Sequence, residues 1–187
     1  MEDNLSPQTT NDLFKSAARS GAINGAIGIF ITILLYVINY ELLVSLKVLL
    51  VLLVLFLGLV IYQGIQYRVS IGGYLPFGKA FQHGFITLVV GGLIGILFSL
   101  VLYNLIDSEL PQKLTDVTVL NTEEMMKNFG AQDAQIDEAV KKVKIETPDR
   151  FTLLGQAKQF AWGLIFNAVI ALITGAIVKR NQPVEML

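Results

Sequence analysis

Arg68, Lys79, Gln82 and His83 fall within one stretch, YRVSIGGYLPFGKAFQHGF (residues 67–85), and their side chains are of the types that hold an anion. Guanidinium, ammonium, amide and imidazole groups close together, with glycines that admit a phosphate near the start of a helix, would make an anion or lipid-headgroup pocket. The G-x-x-x-x-G-K-[ST] spacing of a nucleotide loop is missing. His83 is the only histidine and there is no cysteine, so thiol chemistry, disulfides and zinc-thiolate sites are excluded, and His83 would need carboxylates to hold a metal. The competing reading is structural. Gly72-Gly73 and Pro76 turn a chain, Arg68 and Lys79 anchor at an interface, and the aromatics Tyr67, Tyr74, Phe77, Phe81 and Phe85 suit head-group depth.

Long helices must carry these groups. The chain has 187 residues, 53% hydrophobic and 16% charged, with the charges clustered and the apolar residues in blocks; an ordinary soluble domain is less apolar. Ala17 to Tyr40, Leu42 to Tyr62, Ala80 to Ile106 and Leu153 to Val178 approach or exceed the ~20 residues that cross a hydrocarbon core of about 30 Å. Lipid satisfies no free backbone amide, so each block is expected to be a helix. The second is long enough only if Lys47 snorkels to the head groups, and Asn39, Tyr40 and Glu41 leave a tight antiparallel connection before it. The fold class expected is all-α: an integral membrane bundle of four transmembrane helices with a helical extramembrane insertion between helices 3 and 4. Residues 1–16 read as a polar N-terminal tail without the pattern of a cleaved signal, 17–106 as the first three spans, 107–150 as an extramembrane amphipathic helical loop, and 151–187 as the fourth span with a C-terminal tail.

Lys15, Arg19, Arg68, Lys79, Lys179 and Arg180 fall on one side of such a bundle, while the other side holds Lys47 and a 107–150 loop in which ten acids face six bases. That asymmetry places both termini in the cytoplasm and the loop outside. Small residues at four-residue spacing, Gly21 and Gly25, then Gly91, Gly95 and Ser99, then Ala171 and Gly175, predict close helix packing. Asn24, Thr32, Thr87, Asn167 and Thr174 are polar at membrane depth and predict hydrogen bonds between helices.

The loop has a helical pattern of its own. Met125, Phe129, Gln132, Ile136, Val140 and Val143 form a mostly apolar stripe at spacings of three and four, with Asn121 or Thr122 as a cap, Asp137–Lys141 and Glu138–Lys142 as i,i+4 pairs, and two short helices joined at Phe129-Gly130. The stripe reads as a cap on the bundle or membrane, or as a partner surface.

In the order YR, GGYLPFGKAFQHGF, a Gly-rich helix, YNLIDSEL, EEMMKNFGAQDAQIDEAVKKV and a final apolar helix, the chain resembles a family of small bacterial, Bacteroidota-type, integral membrane proteins catalogued only as a domain of unknown function. The resemblance covers nearly the whole chain. It implies a four-helix integral membrane protein and carries no catalytic residues over; the localisation expected is the bacterial inner membrane.

No Asp, Glu, Lys, Arg or His lies in the middle of a proposed span, where ion-coupled transporters place them, and no Ser, His and acid constellation is readable. The expectation is therefore a multi-pass membrane protein that is no enzyme and takes no cofactor: a structural or accessory interaction component. Its partners would be membrane lipids and a membrane or extracytoplasmic protein, not nucleic acid, with oligomerisation left open. The alternative is a protomer of an oligomeric channel or carrier for a small solute, lined by Asn24, Asn167 and Thr174.

Overall fold

A computed structural model describes residues 7–182. It is all-α, with six helices: α1 (Pro7–Asn39), α2 (Leu46–Ser70), α3 (Phe77–Val101), α4 (Leu110–Asn128), α5 (Asp133–Arg150) and α6 (Leu153–Val178). A 3₁₀ turn, Tyr40–Val44, links α1 to α2, and a π turn, Leu102–Ile106, extends α3. Four segments, Asn11–Val44, Leu46–Ser70, Phe77–Ile106 and Leu153–Val178, are long and apolar enough to cross a membrane. The chain is thus a four-span membrane bundle with a helical insertion before the last span.

Three boundaries differ from those read in the sequence. Residues 7–16 belong to α1 rather than to a polar tail; the remainder of the two expected tails, 1–6 and 183–187, lies outside the described residues. Helix α2 continues past Tyr62 to Ser70, which shortens the elbow to residues 71–76. Helix α4 starts at Leu110, well before Asn121, because Asp107 and Pro111 supply the start. The Asp107 carboxylate accepts from the amides of Glu109 and Leu110, both at 3.0 Å, and Pro111 sits in the first turn, where its missing N–H costs nothing.

The chain divides into two compact units. Among the described residues the first comprises 7–28, 53–95 and 162–182. Its core gathers Leu13, Tyr67, Leu75, Ala80 and Val178, and its helices touch through glycines. A methyl on Gly21 would lie 2.7 Å from the carbonyl of Thr87, and one on Gly25 2.7 Å from Ile94 Cβ, so α1 meets α3 at backbone distance, where packing replaces the missing hydrophobic drive. Gly175 brings α6 equally near α3, 3.0 Å from Phe81 N by the same measure. The elbow turns on Gly72 (φ 98) and Gly73 (φ 89), which no side chain larger than hydrogen adopts readily.

The second unit comprises residues 29–52 and 96–161. Leu102, Leu110 and Leu114 form its core with Tyr36, Tyr40 and Phe151 around them. Helices α4 and α5 fold as a hairpin about Gly130 (φ 75), and the Gln132 and Gln135 side chains cap the start of α5 reciprocally.

Candidate functional site

Where α2 ends and α3 begins, the first unit collects its cations. Arg68, in the last turn of α2, donates from Nη1 to the carbonyl of Val178 at 2.7 Å; it satisfies an acceptor that the end of α6 would otherwise leave free. The residues after α6 return to the elbow. Leu75 and Arg180 exchange two backbone hydrogen bonds, each 2.9 Å. The Arg180 guanidinium lies 5.8 Å over the Tyr74 ring, and the Lys179 ammonium 5.9 Å over Phe77. Between these elements is a cavity of about 360 Å³ lined by Tyr67, Tyr74, Lys79 and Arg180.

The four residues read as anion contacts are therefore separated. Lys79 lines the cavity and Arg68 is committed to the Val178 carbonyl. Gln82 is exposed on α3. His83 is buried behind Tyr67, the rings stacked with centroids 4.9 Å apart and 15° between planes, its Nε2 3.3 Å from Ser16 Oγ and its Nδ1 without a hydrogen-bond partner. The cation that stands with Lys79 at the cavity is Arg180, held there by its two backbone bonds to Leu75.

Deeper in the same unit, the Asn24 and Gln63 amides are paired reciprocally, Nδ2 to Oε1 at 3.1 Å and Nε2 to Oδ1 at 2.9 Å, and Thr87 donates to the Ala17 carbonyl at 3.2 Å. Thr174 instead donates to Ala171 of its own helix. Gln63 lies one residue beyond the apolar run that ends at Tyr62, and nothing in that run points to it. Of the small residues predicted to pack, Gly21, Gly25, Gly91 and Gly175 meet a neighbouring helix. Gly95 is a correction: a methyl there would touch nothing within 4 Å. It borders a cavity of about 300 Å³ that Asn24, Thr87 and Asn167 also line. Ser99 belongs to the second unit and lines a cavity of about 290 Å³ with Tyr103 and Thr147.

The apolar stripe of the loop is divided between two helices. Ile136 is buried and Val140 half-buried, whereas Met125 is exposed and Phe129 is 84% exposed. Phe129 caps α4, and Gly130 turns the chain before the pattern resumes on α5, so a stripe that one straight helix would present as continuous is broken here. Lys127 pairs with Glu123 at 2.6 Å and Lys142 with Glu146 at 3.9 Å, in place of the expected Asp137–Lys141 and Glu138–Lys142 pairs. At the base of the hairpin Asp107 also accepts from the Tyr36 hydroxyl at 3.1 Å and meets the Lys113 ammonium at 3.4 Å. Partial burial works to raise its pKa, but these partners and the Glu109 amide hold the carboxyl below its ordinary value.

A family model described as "Protein of unknown function (DUF4199)" matches residues 19–180. The chain belongs to that family. The match runs from the fourth turn of α1 through Arg180, so it covers the second unit, the whole elbow and all of the first unit but its ends. No curated protein and no solved structure matches the chain.

Proposed function

We propose that this DUF4199 protein is a non-catalytic interaction component of the bacterial inner membrane, whose α4–α5 hairpin engages a protein partner on the outer face. The observation that carries the reading is the hairpin surface: Leu120, Met125, Phe129 and Ile145 are exposed on an element that no lipid tail needs to cover. Residues 107–150 hold ten acids and six bases, a balance that anionic head groups repel, which favours a protein over the membrane as what meets Phe129. Photo-cross-linking in native membranes from position 129, with position 142 as control, tests it. A discrete protein adduct from 129, absent from 142 and lost in Met125→Ser, is expected; lipid adducts alone would sink the proposal.

The orientation rests on the lysines and arginines of the elbow and of the segments flanking α1 and α6. Single cysteines, Ser6→Cys and Thr122→Cys, probed with an impermeant thiol reagent on intact cells, should label at 122 and stay silent at 6.

A second reading has one observation of its own. The cavity bordered by Asn24, Thr87 and Asn167 puts three polar side chains in an otherwise apolar wall, a lining for a small uncharged solute, although Thr174 does not line it. Solute flux in liposomes, abolished by Asn167→Leu, would select this reading; its absence leaves the interaction role.

A further inference from the structure

We infer that the elbow cavity is a binding site for a phosphate anion carried on an apolar body, the chemistry of an anionic phospholipid head group. Lys79 and Arg180 line it, and among the described residues neither has a carboxylate within 4.0 Å. The Arg180 guanidinium is held over Tyr74 and its backbone is fixed to Leu75, so this cation is already positioned and loses little freedom on binding. Tyr67 supplies a third donor. It is 8% exposed, it lines the cavity, and its hydroxyl makes no hydrogen bond among the described residues while its ring is clamped on His83.

An ammonium, a guanidinium and a phenol around one space match a tetrahedral anion better than a neutral solute. Leu13 and Leu75, both buried, also line the cavity, which suits a glycerol backbone and the first acyl carbons. The site lies where α2 ends and α3 begins, at the limits of the spans, the level at which head groups lie. Free phosphate shares the anion chemistry and not the apolar body. The inference is independent of the hairpin and of any partner there.

The test is calorimetric titration of the full chain in a neutral detergent with three probes: dihexanoylphosphatidylglycerol, dihexanoylphosphatidylcholine and sodium phosphate. Saturable one-to-one binding of the glycerol lipid is expected, weaker by about tenfold or more in Lys79→Gln/Arg180→Gln and weaker also in Tyr67→Phe, with no saturable binding of the choline lipid. Lys15→Gln/Arg19→Gln removes two cations that do not line the cavity and should leave affinity within about twofold. Lys79→Gln alone, which breaks no side-chain hydrogen bond or ion pair among the described residues, keeps the test open if the double variant fails to fold. Sodium phosphate binding with the same dependence on Lys79, and displacing the lipid, would support the anion site and assign it to free phosphate. Equal binding by wild type and Lys79→Gln/Arg180→Gln, an equal loss in Lys15→Gln/Arg19→Gln, equal binding of the choline lipid, or no binding of either anion would overturn it.

Discussion

In the four spans the buried side chains include Asn24, His83, Thr87 and Thr174 while Phe30, Val54 and Trp162 are exposed; in the α4–α5 hairpin Leu114, Val119 and Ile136 are buried and mostly charged and amide side chains face outward. The two regions invert each other because their solvents differ. Lipid is as apolar as a leucine side chain, so a span gains nothing by hiding Trp162 and gains specificity by pairing amides and bringing backbones together. Water drives the hairpin the other way. An exposed Trp162 therefore says nothing about binding, whereas an exposed Phe129 does.

The largest effect should come from crowding the α1–α3 contact. Gly21→Leu forces a side chain against the Thr87 carbonyl and Val90 and should destabilise the protein by about 1–3 kcal/mol or more. Gly95→Leu, which meets open space, should stay within about 0.5 kcal/mol. Thermal unfolding in detergent measures both. Equal losses would mean that helix packing does not distinguish the two glycines, and the comparison between close and open faces would fail.

The hairpin should obey the water rule. Ile136→Ser removes a buried side chain and should cost about 2 kcal/mol or more, read as faster hydrogen exchange across α4 and α5. Phe129→Ser should leave exchange unchanged in the purified protein, because Phe129 is almost fully exposed. Protection that falls in both variants would show that Phe129 already has a cover.

A smaller effect tests the lipid rule. Asn24→Ala and Gln63→Ala each strand a partner amide, and a double-mutant cycle should return a coupling of about 1 kcal/mol, since polar contacts between membrane helices average ~0.6 and reach ~1.7. Zero coupling would make the amide pair incidental and leave the glycine contacts as the whole basis of specificity.

The same contrast explains what could be read beforehand. Apolar runs long enough to span are legible without partners, and the fourth span was read with the bounds it has. The second span was cut at Tyr62 because Gln63, Gln66 and Arg68 look like an end; Gln63 and Arg68 are satisfied by Asn24 and the Val178 carbonyl, and no periodicity on α2 reveals those partners. Gly25 and Gly95 are alike in sequence, and only the neighbouring helix distinguishes them. Arg180 was read as a charge near the end of the chain, and its place beside Lys79 depends on the Leu75 bridge. The start of α4 is legible in the sequence, since Pro111 just behind the acids Asp107 and Glu109 is a helix-start signal.

The smallest effect is expected at Asp107, where the hairpin leaves α3. Its carboxylate joins the Glu109 and Leu110 amides, the Tyr36 hydroxyl and Lys113, and its pKa in the folded protein lies below the ordinary aspartate value. A lowered folded pKa means that the ionised form stabilises the fold. The contribution is present above the unfolded pKa, ~3.9, and is lost as pH falls through the lower folded value. Lys113 and Lys127, shifted upward, stay charged throughout that window and so add no slope. Glu123, lowered by Lys127, adds a parallel slope through a more exposed pair that salt screens. Thermal unfolding between about pH 6 and pH 3 should therefore fall less in Asp107→Asn than in wild type, the variant beginning lower because asparagine keeps the amide caps and loses the charge. Glu123→Gln should flatten the curve less, and less still at high salt. If Asp107→Asn followed the wild-type curve, the carboxylate would be only a helix cap, and the acid sensitivity of the hairpin base would have to come from another group.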